Sequence, residues 1–368
     1  MRNIIDSPFV SIVIPCRNEE QFIGKCLDSI IANGYPKDRL EILVIDGMSE
    51  DKTREIIERY TQQYQFVRLL DNPKKIIPCA LNVGIKGAKG GIIMRMDAHA
   101  TYEKNYISKC VKYLSKYNAD NVGGIWKIVP RGNTLLGKAI AIALSHPLGS
   151  GNAYYKVGGV NEPRWVDIVP FGCYRKEVFE KIGLLNEDLV NSEDMEFNSR
   201  LKRAKGKILL IPEIVSYYYA RSDFKSFVKH NLRNGFWAIY PFKFTDHMPV
   251  SWRHLIPLAF VLSLMGSLGL WRLLSLLGSH GFLGLLSSLG LLSFLVIGSS
   301  YSLCNLFFSA KVALKEKDLR YLFVMPVIFA ALHIGYGLGS VWGLIKCLGS
   351  KRFWRNLRGI LREGSFVG

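Results

Sequence analysis

The sequence of 368 residues contains few cysteines, and they form no recognisable site. The seven cysteines are scattered, with no C-x-x-C pair and no histidine at metal-ligand spacing. Such a set excludes a small disulfide-stabilised scaffold and is typical of a reducing compartment. The N-terminus also lacks the apolar segment of a signal peptide, because charge follows the first short apolar run. We therefore expect residues 1–250 to stay in the cytoplasm.

Two phosphate-binding motifs are absent as well. No G-x-G-x-x-G segment follows the first predicted strand, and no G-x-x-x-x-G-K-[ST] segment occurs. The spaced glycines Gly84, Gly87 and Gly90 fall instead at the end of a predicted helix. The sequence therefore disfavours a dinucleotide-binding fold and lacks a P-loop.

Acidic residues are outnumbered by basic ones, 30 to 48. The basic excess is divided evenly between residues 1–250 and residues 251–368. In the second part the charges avoid the apolar runs and gather in residues 311–320 and 351–362, where they can meet anionic lipid head groups. No basic stripe is interleaved with aromatic residues, so we expect no nucleic-acid partner.

Three apolar segments in the last third are long enough to cross a bilayer: Leu255–Leu277, Phe282–Phe308 and Tyr321–Ile345. Three crossings would leave the basic tail outside, against the preference of basic residues for the cytoplasmic side. One segment is therefore re-entrant, interfacial or divided in two, and the sequence leaves these alternatives open. The aromatic-rich segment Phe224–Phe244 is predicted to lie along the membrane surface, with Phe227, Phe236, Trp237, Tyr240 and Phe242 inserted.

The first 130 residues alternate between strands and helices. Predicted strands cover residues 9–14, 41–45, 66–70 and 91–96, and predicted helices cover residues 19–32, about 51–60 and 76–86. Farther along, residues 135–144, 177–182 and 192–203 are predicted to be helical, and the rest of 133–163 is either a mobile lid or a connector. Apolar strands separated by helices indicate an α/β fold with a mostly parallel sheet that is covered on both faces.

Ligands of such sheets lie beyond the carboxyl ends of the strands. Residues 15–19, Asp46 and the segment Asp97-Ala98-His99 occupy those positions. An acid and a histidine two residues apart can point the same way and bind Mg²⁺ or Mn²⁺. The alternatives are that Asp46 and Asp97 are turn residues and that His99 is structural.

Three acids follow Ser192 at the start of a predicted helix: Glu193, Asp194 and Glu196. Acids favour the first turn of a helix because of its dipole, which explains them without any chemistry. Alternatively, one of these carboxylates is a general base for an incoming hydroxyl group.

Four segments in this order resemble the inverting glycosyltransferases of family 2, which have a GT-A fold. Residues 11–20 read SIVIPCRNEE, residues 44–53 read VIDGMSEDKT, residues 97–99 read DAH and residues 193–194 read ED. The DAH variant, the segment FGCYRK at residues 171–176 and the apolar C-terminal segments are most similar to membrane-bound members that assemble exopolysaccharides, such as succinoglycan-type glucosyltransferases.

The resemblance implies a role for each matching position. Pro15, Arg17, Glu19, Asp46 and Asp97 would bind the nucleotide-sugar donor. Asp97 and His99 would stand in for the D-x-D site of a divalent cation, with Mg²⁺ or Mn²⁺ as candidates. Asp194 would be the catalytic base, and Glu193 would orient it or the acceptor.

The sequence departs from the family pattern at two positions. His99 replaces the second acid of D-x-D, which removes one negative charge from the metal site. The Q-x-x-R-W segment of processive synthases corresponds here to KHNLRNGFW at residues 229–237, so transfer of a single sugar is favoured over polymerisation. Arg233, Trp237 and Gly172 remain candidates for contact with the acceptor or the diphosphate.

These observations predict a catalytic GT-A domain at residues 1–221, an interfacial linker at 222–250, a membrane region at 251–350 and a basic tail at 351–368. The predicted enzyme is a multi-pass protein of the cell membrane whose catalytic domain faces the cytoplasm. It moves one sugar from a nucleotide-sugar, with UDP favoured by the resemblance, to a glycan or polyprenyl-linked acceptor. The alternatives are a polyprenyl-phosphate glycosyltransferase and a non-catalytic membrane scaffold.

Overall fold

A computed structural model describes residues 7–277 and 280–363. The strands are β1 (Val10–Cys16), β2 (Leu40–Asp46), β3 (Val67–Asp71), β4 (Ile92–Arg95), β5 (Ala100–Tyr102), β6 (Asn121–Pro130), β7 (Arg164–Trp165), β8 (Cys173–Arg175) and β9 (Ile208–Ala220). The helices are α1 (Ile23–Ile31), α2 (Thr53–Gln63), α3 (Ile77–Gly87), α4 (Tyr106–Lys116), α5 (Leu135–Ser145), α6 (Pro147–Ser150), α7 (Tyr154–Val157), α8 (Lys176–Ile182), α9 (Glu193–Arg203), α10 (Phe224–Ile239), α11 (Ile256–Leu277), α12 (Gly281–Glu316), α13 (Tyr321–Leu348) and α14 (Lys351–Glu363).

The chain divides into two compact units. The first unit comprises residues up to Val129 together with Ala153–Tyr219, and the second comprises Pro130–Asn152 together with the residues from Ala220 onward. The chain therefore leaves the first unit, returns and leaves it again. This division differs from the single boundary predicted at residue 221, because residues 130–152 belong to the second unit.

The first unit is built on one mixed sheet with the strand order β3-β2-β1-β4-β8-β6-β9-β5, and β7 pairs with β9. β3, β2, β1 and β4 are parallel, and their register sets Cys16 beside Asp46 and Asp46 beside Asp71. The side chains of β1 and β2 are almost entirely buried, as expected for strands covered on both faces. The mixed sheet is confirmed, although its other half is antiparallel from β8 onward.

Helices cover both faces of this sheet. One apolar cluster joins α1 and α4 to the sheet through residues such as Ile23, Leu27 and Ile107. The other joins α3, α8 and α9 to the opposite face through residues such as Leu81 and Phe197. Gly84 of α3 faces the side chains of Val13 and Ile45, which leave no room for a Cβ atom. That glycine therefore serves close helix–sheet packing.

The second unit contains α5, α6 and the helices from α10 onward. Thr134 caps α5 by accepting a hydrogen bond from the Gly137 N–H, and Ala139, Ile140 and Ala143 pack with α10, α12 and α13. The predicted insertion of Phe227 and Phe242 into lipid is wrong, because both side chains are buried inside this unit. Phe227 is buried because α10 packs along α13, and Phe242 is buried in the turn after α10, which contacts α13 and α14.

Glycines make the contact between α10 and α13 unusually close. A Cβ atom on Gly235 would collide with the Tyr336 carbonyl, and one on Gly339 would collide with the Leu232 carbonyl. The spacing of Gly335, Gly339 and Gly343 by four residues places them on one face of α13. Small residues at this spacing let two helix backbones approach each other.

Three helices in the described residues are long and apolar enough to cross a membrane: Trp252–Leu277, Gly281–Glu316 and Tyr321–Leu348. They correspond to the three predicted apolar segments. Gly290 of α12 packs against the backbone of Trp271 in α11, so these two helices form an antiparallel hairpin.

Candidate active site

The loops that follow β1 and β2 hold each other in place. The Asn18 N–H donates to Ser49 Oγ and the Glu50 N–H donates to Asn18 Oδ1, both at 2.9 Å. The Glu19 N–H donates to Thr53 Oγ1 at 2.7 Å. Asn18 has a left-handed backbone with φ 54°, which asparagine tolerates better than most residues. These reciprocal bonds bring the first two motifs of the sequence together at one edge of the sheet.

Asp46 lies at the centre of this edge and is fully buried. Its carboxylate accepts hydrogen bonds from the Ser49 N–H and from Ser49 Oγ, the latter at 2.5 Å. Arg54 Nη1 lies 3.4 Å from Asp46 Oδ2 and 2.6 Å from Asp71 Oδ1. Asp46 therefore fixes the loop that carries Ser49. Its contact with the base or ribose of a nucleotide stays a prediction.

The remaining predicted donor residues lie on or after the end of β1. Pro15 is the partner of Ile45 in the sheet register and is partly exposed. Arg17 is exposed, and its Nη2 lies 3.4 Å from Glu50 Oε1. The loop thus presents a guanidinium group to solvent at the carboxyl end of the strand, where sheets of this type bind ligands.

A partly buried arginine joins the two acidic segments of the sequence. Arg95, the last residue of β4, donates from Nε to Asp97 Oδ1 and from Nη1 to Glu193 Oε1, each at 3.0 Å. The Arg95 N–H donates to the Gly172 carbonyl, also at 3.0 Å. The Asp97 N–H donates to the Tyr102 hydroxyl at 2.8 Å. Two segments almost a hundred residues apart therefore meet through one guanidinium group.

The first turn of α9 carries Glu193 and Asp194. Burial raises the pKa of Glu193 to about 7; the Arg95 charge opposes this rise and the Asp194 charge adds to it. The helix begins after Ser192, whose backbone is left-handed with φ 65°. Asp194 Oδ1 accepts a hydrogen bond from the Met195 N–H at 2.8 Å, so the helix N-terminus holds the carboxylate in place.

The loop before α9 is anchored to α3 by one asparagine. Asn82 donates from Nδ2 to the Leu185 carbonyl at 2.9 Å and accepts at Oδ1 from the Leu185 N–H at 3.0 Å. Lys74 Nζ lies 2.6 Å from Glu187 Oε2, and this bond is the main reason that the pKa of Glu187 falls to about 2. The position of the acidic turn of α9 is therefore set from outside the helix.

A cleft that is open to solvent contains two of the predicted site carboxylates, Asp97 and Asp194. Its lining also includes Arg95, Trp126, Tyr155 and Gly172. The Trp126 ring is stacked on Tyr218 with 4.5 Å between centroids, and its buried Nε1 has no hydrogen-bond partner among the described residues. Acidic groups and an aromatic wall therefore share one cavity, an arrangement suited to a polar ligand with apolar faces such as a sugar.

His99 is oriented by a second predicted residue. Its Nδ1 lies 3.1 Å from Glu19 Oε1, and its ring meets Tyr218 edge-on at 5.4 Å. A carboxylate on one imidazole nitrogen leaves the other available as a ligand, which is the usual arrangement of metal-binding histidines. Within the described residues, no three potential metal ligands cluster together. A cation held by Asp97 and His99 would need its other ligands from phosphate oxygens and water, and this site stays a prediction.

Most of the predicted site residues lie together in the first unit. Asp97, Gly172 and Asp194 line the cleft, Glu193 is joined to Asp97 through Arg95, and Glu19 contacts His99. Arg233 and Trp237 instead lie on α10 in the second unit. Three residues of the cleft were not predicted from the sequence: Arg95, Trp126 and Tyr155. Arg95 was detectable as the last charged residue before the strand-end Asp97, whereas Trp126 and Tyr155 carry no local signal.

Comparisons with known proteins agree with this geometry. The sequence profile of the family Glycosyl transferase family 2 matches residues 11–183. A dolichyl N-acetyl-alpha-D-glucosaminyl phosphate 3-beta-D-2,3-diacetamido-2,3-dideoxy-beta-D-glucuronosyltransferase of Methanococcus voltae is 31% identical over 233 residues, which cover 62% of this chain and 72% of the relative. The succinoglycan biosynthesis protein ExoA of Rhizobium meliloti is 29% identical over 283 residues, which cover 71% of this chain and 84% of the relative.

A solved structure has the same fold. The mannosyltransferase PcManGT of Pyrobaculum calidifontis, in complex with GDP-Man and Mn²⁺, superposes with a TM-score of 0.55 and 17% identity, covering 92% of this chain and 88% of the other. The first unit accordingly has the GT-A fold, as predicted. With the profile match and the extent of similarity to its relatives, the chain belongs to glycosyltransferase family 2 and is a glycosyltransferase of glycan biosynthesis.

Proposed function

We propose that this enzyme transfers one sugar from a nucleotide-sugar to a hydroxyl group of a lipid-linked or cell-surface glycan, with inversion at the anomeric carbon. The observation that carries the proposal is the placement of Asp97 and Asp194 in one cleft, beside an aromatic wall. A UDP-sugar is the first candidate donor. The relative from Methanococcus voltae is named for a dolichyl phosphate that carries N-acetylglucosamine, which supports a lipid-linked sugar as the acceptor.

Asp194 is the proposed general base. It removes the proton of the acceptor hydroxyl while that oxygen forms a bond to the anomeric carbon. The bond between the anomeric carbon and the diphosphate oxygen breaks, and the nucleoside diphosphate leaves with the electron pair. Glu193 does not itself line the cleft but contacts Arg95, which does, so it is proposed as a positioning residue for the acidic turn.

The donor is proposed to bind where the carboxyl ends of β1, β2 and β4 meet. Pro15, Arg17, Glu19 and Asp46 contribute the nucleoside side, and Asp97 contributes the diphosphate side. Asp97 and His99 would hold Mg²⁺ or Mn²⁺, which neutralises negative charge on the leaving diphosphate when it is bound. Arg95 already holds Asp97 Oδ1 and so fixes the orientation of that carboxylate. Gly172 has no space for a side chain, since a Cβ atom there would collide with the Tyr174 ring.

The proposal places the protein in the cell membrane as a multi-pass enzyme with the first unit in the cytoplasm. Three helices able to cross a membrane support the membrane location. Arg233, which is exposed on α10, and Trp237, which is partly exposed, stay candidates for acceptor contact.

A transfer assay with purified protein tests the function. Detergent-solubilised enzyme is incubated with Mn²⁺ or Mg²⁺ and a panel of UDP-, GDP- and dTDP-sugars, and released nucleotide is measured with and without membrane lipid extract. We expect release that requires metal and extract, and that is lost in Asp194→Asn. Asp188→Asn is the matched control, because it neutralises an exposed carboxylate in the preceding loop.

Two results would contradict the proposal. Release with bare polyprenyl phosphate as the sole acceptor would indicate a polyprenyl-phosphate glycosyltransferase. No release from any donor, together with no nucleotide binding by calorimetry, would indicate a non-catalytic membrane scaffold.

A further inference from the structure

The third apolar helix differs from the other two in its surroundings. Only 6% of the most apolar window of Trp252–Leu277 and 11% of that of Gly281–Glu316 are buried within the protein, against 39% for Tyr321–Leu348. The first two helices therefore expose an apolar surface suited to lipid. The third is covered by protein over much more of its length, although its length and composition are those of a membrane span.

The first two helices form a hairpin with contacts along its length. Near the turn, Ser287 Oγ donates to the Trp271 carbonyl at 3.1 Å. Toward the open end, the rings of Phe260 and Tyr301 lie 4.7 Å apart. The two helices are therefore antiparallel. α11 runs from the open end of the hairpin to its turn, and α12 runs from the turn back to the open end.

α13 meets α11 close to the start of α11. The Tyr336 hydroxyl lies 2.9 Å from His254 Nδ1. Gly337 packs against Pro257 and Val261. All three of these partners lie at the open end of the hairpin.

α13 also contacts α12 near the open end of the hairpin. The Tyr301 hydroxyl, whose ring contacts Phe260 of α11, lies 2.9 Å from His333 Nδ1. Asn305 Nδ2 donates to the Pro326 carbonyl at 3.0 Å. Residues 326–337 of α13 extend over about 16 Å at the rise of an α-helix, yet the contacts that Pro326, His333, Tyr336 and Gly337 make with the hairpin all lie near its open end. A third crossing helix would instead run beside the hairpin toward its turn.

The opposite side of α13 is covered by a charged helix. Gly335, Gly339 and Gly343 pack against backbone atoms of α10, so the two helices run together over this stretch. On the same stretch of α10, Lys229 and Arg233 are exposed. Exposed cations are costly in the hydrocarbon core of a bilayer. This half of α13 therefore belongs at or outside the membrane surface.

The C-terminal helix returns to the segment that precedes the hairpin. Asn356 Nδ2 donates to the carbonyls of Phe242 and Lys243 at 3.2 and 3.3 Å, and Arg352 Nη2 donates to the Phe244 carbonyl at 3.1 Å. Residues 242–244 lie shortly before α11 in the chain. The helix that follows α13 is consequently attached to the side of the membrane from which α11 starts.

We propose that the chain crosses the bilayer twice, through α11 and α12, and that α13 and α14 both lie on the side where α11 begins. This topology puts the basic residues of 311–320 and 351–362 on one side, as the distribution of positive charge in membrane proteins favours. The basic helix α14 also exposes Trp354 by 45% and Leu361 by 58%. An aromatic and an aliphatic side chain among cations suit a surface with anionic phosphate head groups.

Cysteine labelling in sealed vesicles tests this topology on the full-length chain. Cys304 is the exposed native cysteine among the seven, so Cys304→Ser provides the background. Lys315→Cys, His280→Cys and Arg355→Cys each replace an exposed side chain with a single reporter. A membrane-impermeant maleimide is added to right-side-out and to inside-out vesicles. We expect Arg355→Cys to react from the same side as Lys315→Cys, and His280→Cys to react from the opposite side.

Two outcomes would overturn the proposal. If Arg355→Cys reacts from the side of His280→Cys, α13 crosses the membrane. If all three positions react from one side, the hairpin does not cross. Protease protection of a tag fused after Gly368 of the unsubstituted chain provides a second measurement, which does not depend on the folding of a variant. The tag is expected to be cleaved from the side of Lys315. Neither measurement depends on sugar transfer. A result that contradicts the topology therefore leaves the proposed activity untested, and a result that contradicts the activity leaves the topology untested.

Discussion

At the scale of single residues, the cleft depends on the balance of charge around Arg95. This guanidinium group is shared between Asp97 and Glu193, whose side chains are 19% and 5% exposed. Glu193 cannot be well solvated, so its ionisation is opposed by burial and favoured by Arg95. The protonation state of Glu193 therefore links the stability of the first unit to pH.

The stability of Glu193→Gln should differ from that of the wild type in a pH-dependent way. Because the pKa of Glu193 rises from 4.5 to about 7 on folding, the folded chain holds a proton there that the unfolded chain releases. The stabilising contribution is complete below pH 4.5 and is lost as the pH rises to about 7. The Gln side chain does not titrate, so the thermal midpoint of the wild type minus that of the variant should fall across this range. Differential scanning fluorimetry in detergent with a chelator measures it.

The control for this prediction is Glu177→Gln, which changes an exposed glutamate on α8. Its midpoint should follow that of the wild type at every pH. A Glu193→Gln profile parallel to the wild type from pH 4.5 to 7 would show that Glu193 does not titrate in this range.

Asn82→Ala should destabilise the first unit without altering any cleft residue. Asn82 is 4% exposed and supplies both hydrogen bonds of the Leu185 backbone. Leaving buried backbone groups without partners costs about 1–3 kcal/mol each, so a clear drop in the thermal midpoint is expected. Nucleotide release should fall as well, because the loop positions Glu193 and Asp194. Asn186→Ala, in the same loop, should change the midpoint little. Equal midpoints for the two variants would contradict this account.

At the scale of elements, glycine spacing decides how the second unit packs. Gly235 on α10 and Gly339 on α13 each face a carbonyl of the other helix, with no room for a methyl group. The polar contact of Ser340 Oγ with the Gly235 carbonyl, at 3.0 Å, lies at the same place. α10 is thereby tied to α13 along its length and is not free to insert alone into a membrane surface.

Gly235→Ala should separate α10 from α13, whereas Gly269→Ala should not disturb the fold. The added methyl group at position 235 would overlap the Tyr336 carbonyl, and overpacking of this kind costs about 1–3 kcal/mol. A methyl group at position 269 would extend into open space, and alanine is the better helix former there. Thermal unfolding in detergent, followed by tryptophan fluorescence, measures both variants. A midpoint for Gly235→Ala at or above that of Gly269→Ala would refute the close packing.

At the scale of the whole molecule, the two units are interleaved in sequence. The chain passes between them at residues 129–130, 152–153 and 219–220. Residues 130–152 include α5, whose apolar side packs with Phe227, Phe329 and Leu332 of the second unit. A fragment that ends at residue 221, the boundary predicted from sequence, would therefore contain α5 but lack the residues that bury its apolar side.

A fragment of residues 1–221 should aggregate because of α5. Without the second unit, Ala139, Ile140 and Ala143 lose the residues that bury them. Replacing Leu136, Ile140 and Leu144 with lysine in this fragment should restore a monodisperse species without detergent, and size-exclusion chromatography distinguishes the two. A monodisperse unsubstituted fragment would contradict the assignment of α5 to the second unit.

The sequence alone determined the parts of this protein that depend on local pattern. Buried apolar strands, helical periodicity and the residues at strand ends identified β1 to β4, the segments at Asp46, Asp97 and Asp194, and three apolar helices. These features are local because hydrophobic periodicity is set by backbone geometry, and because ligand-binding residues follow parallel strands directly.

Tertiary structure decided everything that depends on contacts between distant residues. Arg95 could be recognised as the link between Asp97 and Glu193 only once the structure placed β4 near α9. Trp126 lines the cleft but belongs to β6, a strand without a recognisable motif. The same holds for α13. Its composition is that of a membrane span, but composition measures only the free energy of transfer into lipid. Packing against α10 and against the open end of the hairpin covers part of that apolar surface with protein, and the proposal that α13 does not cross the bilayer rests on these contacts.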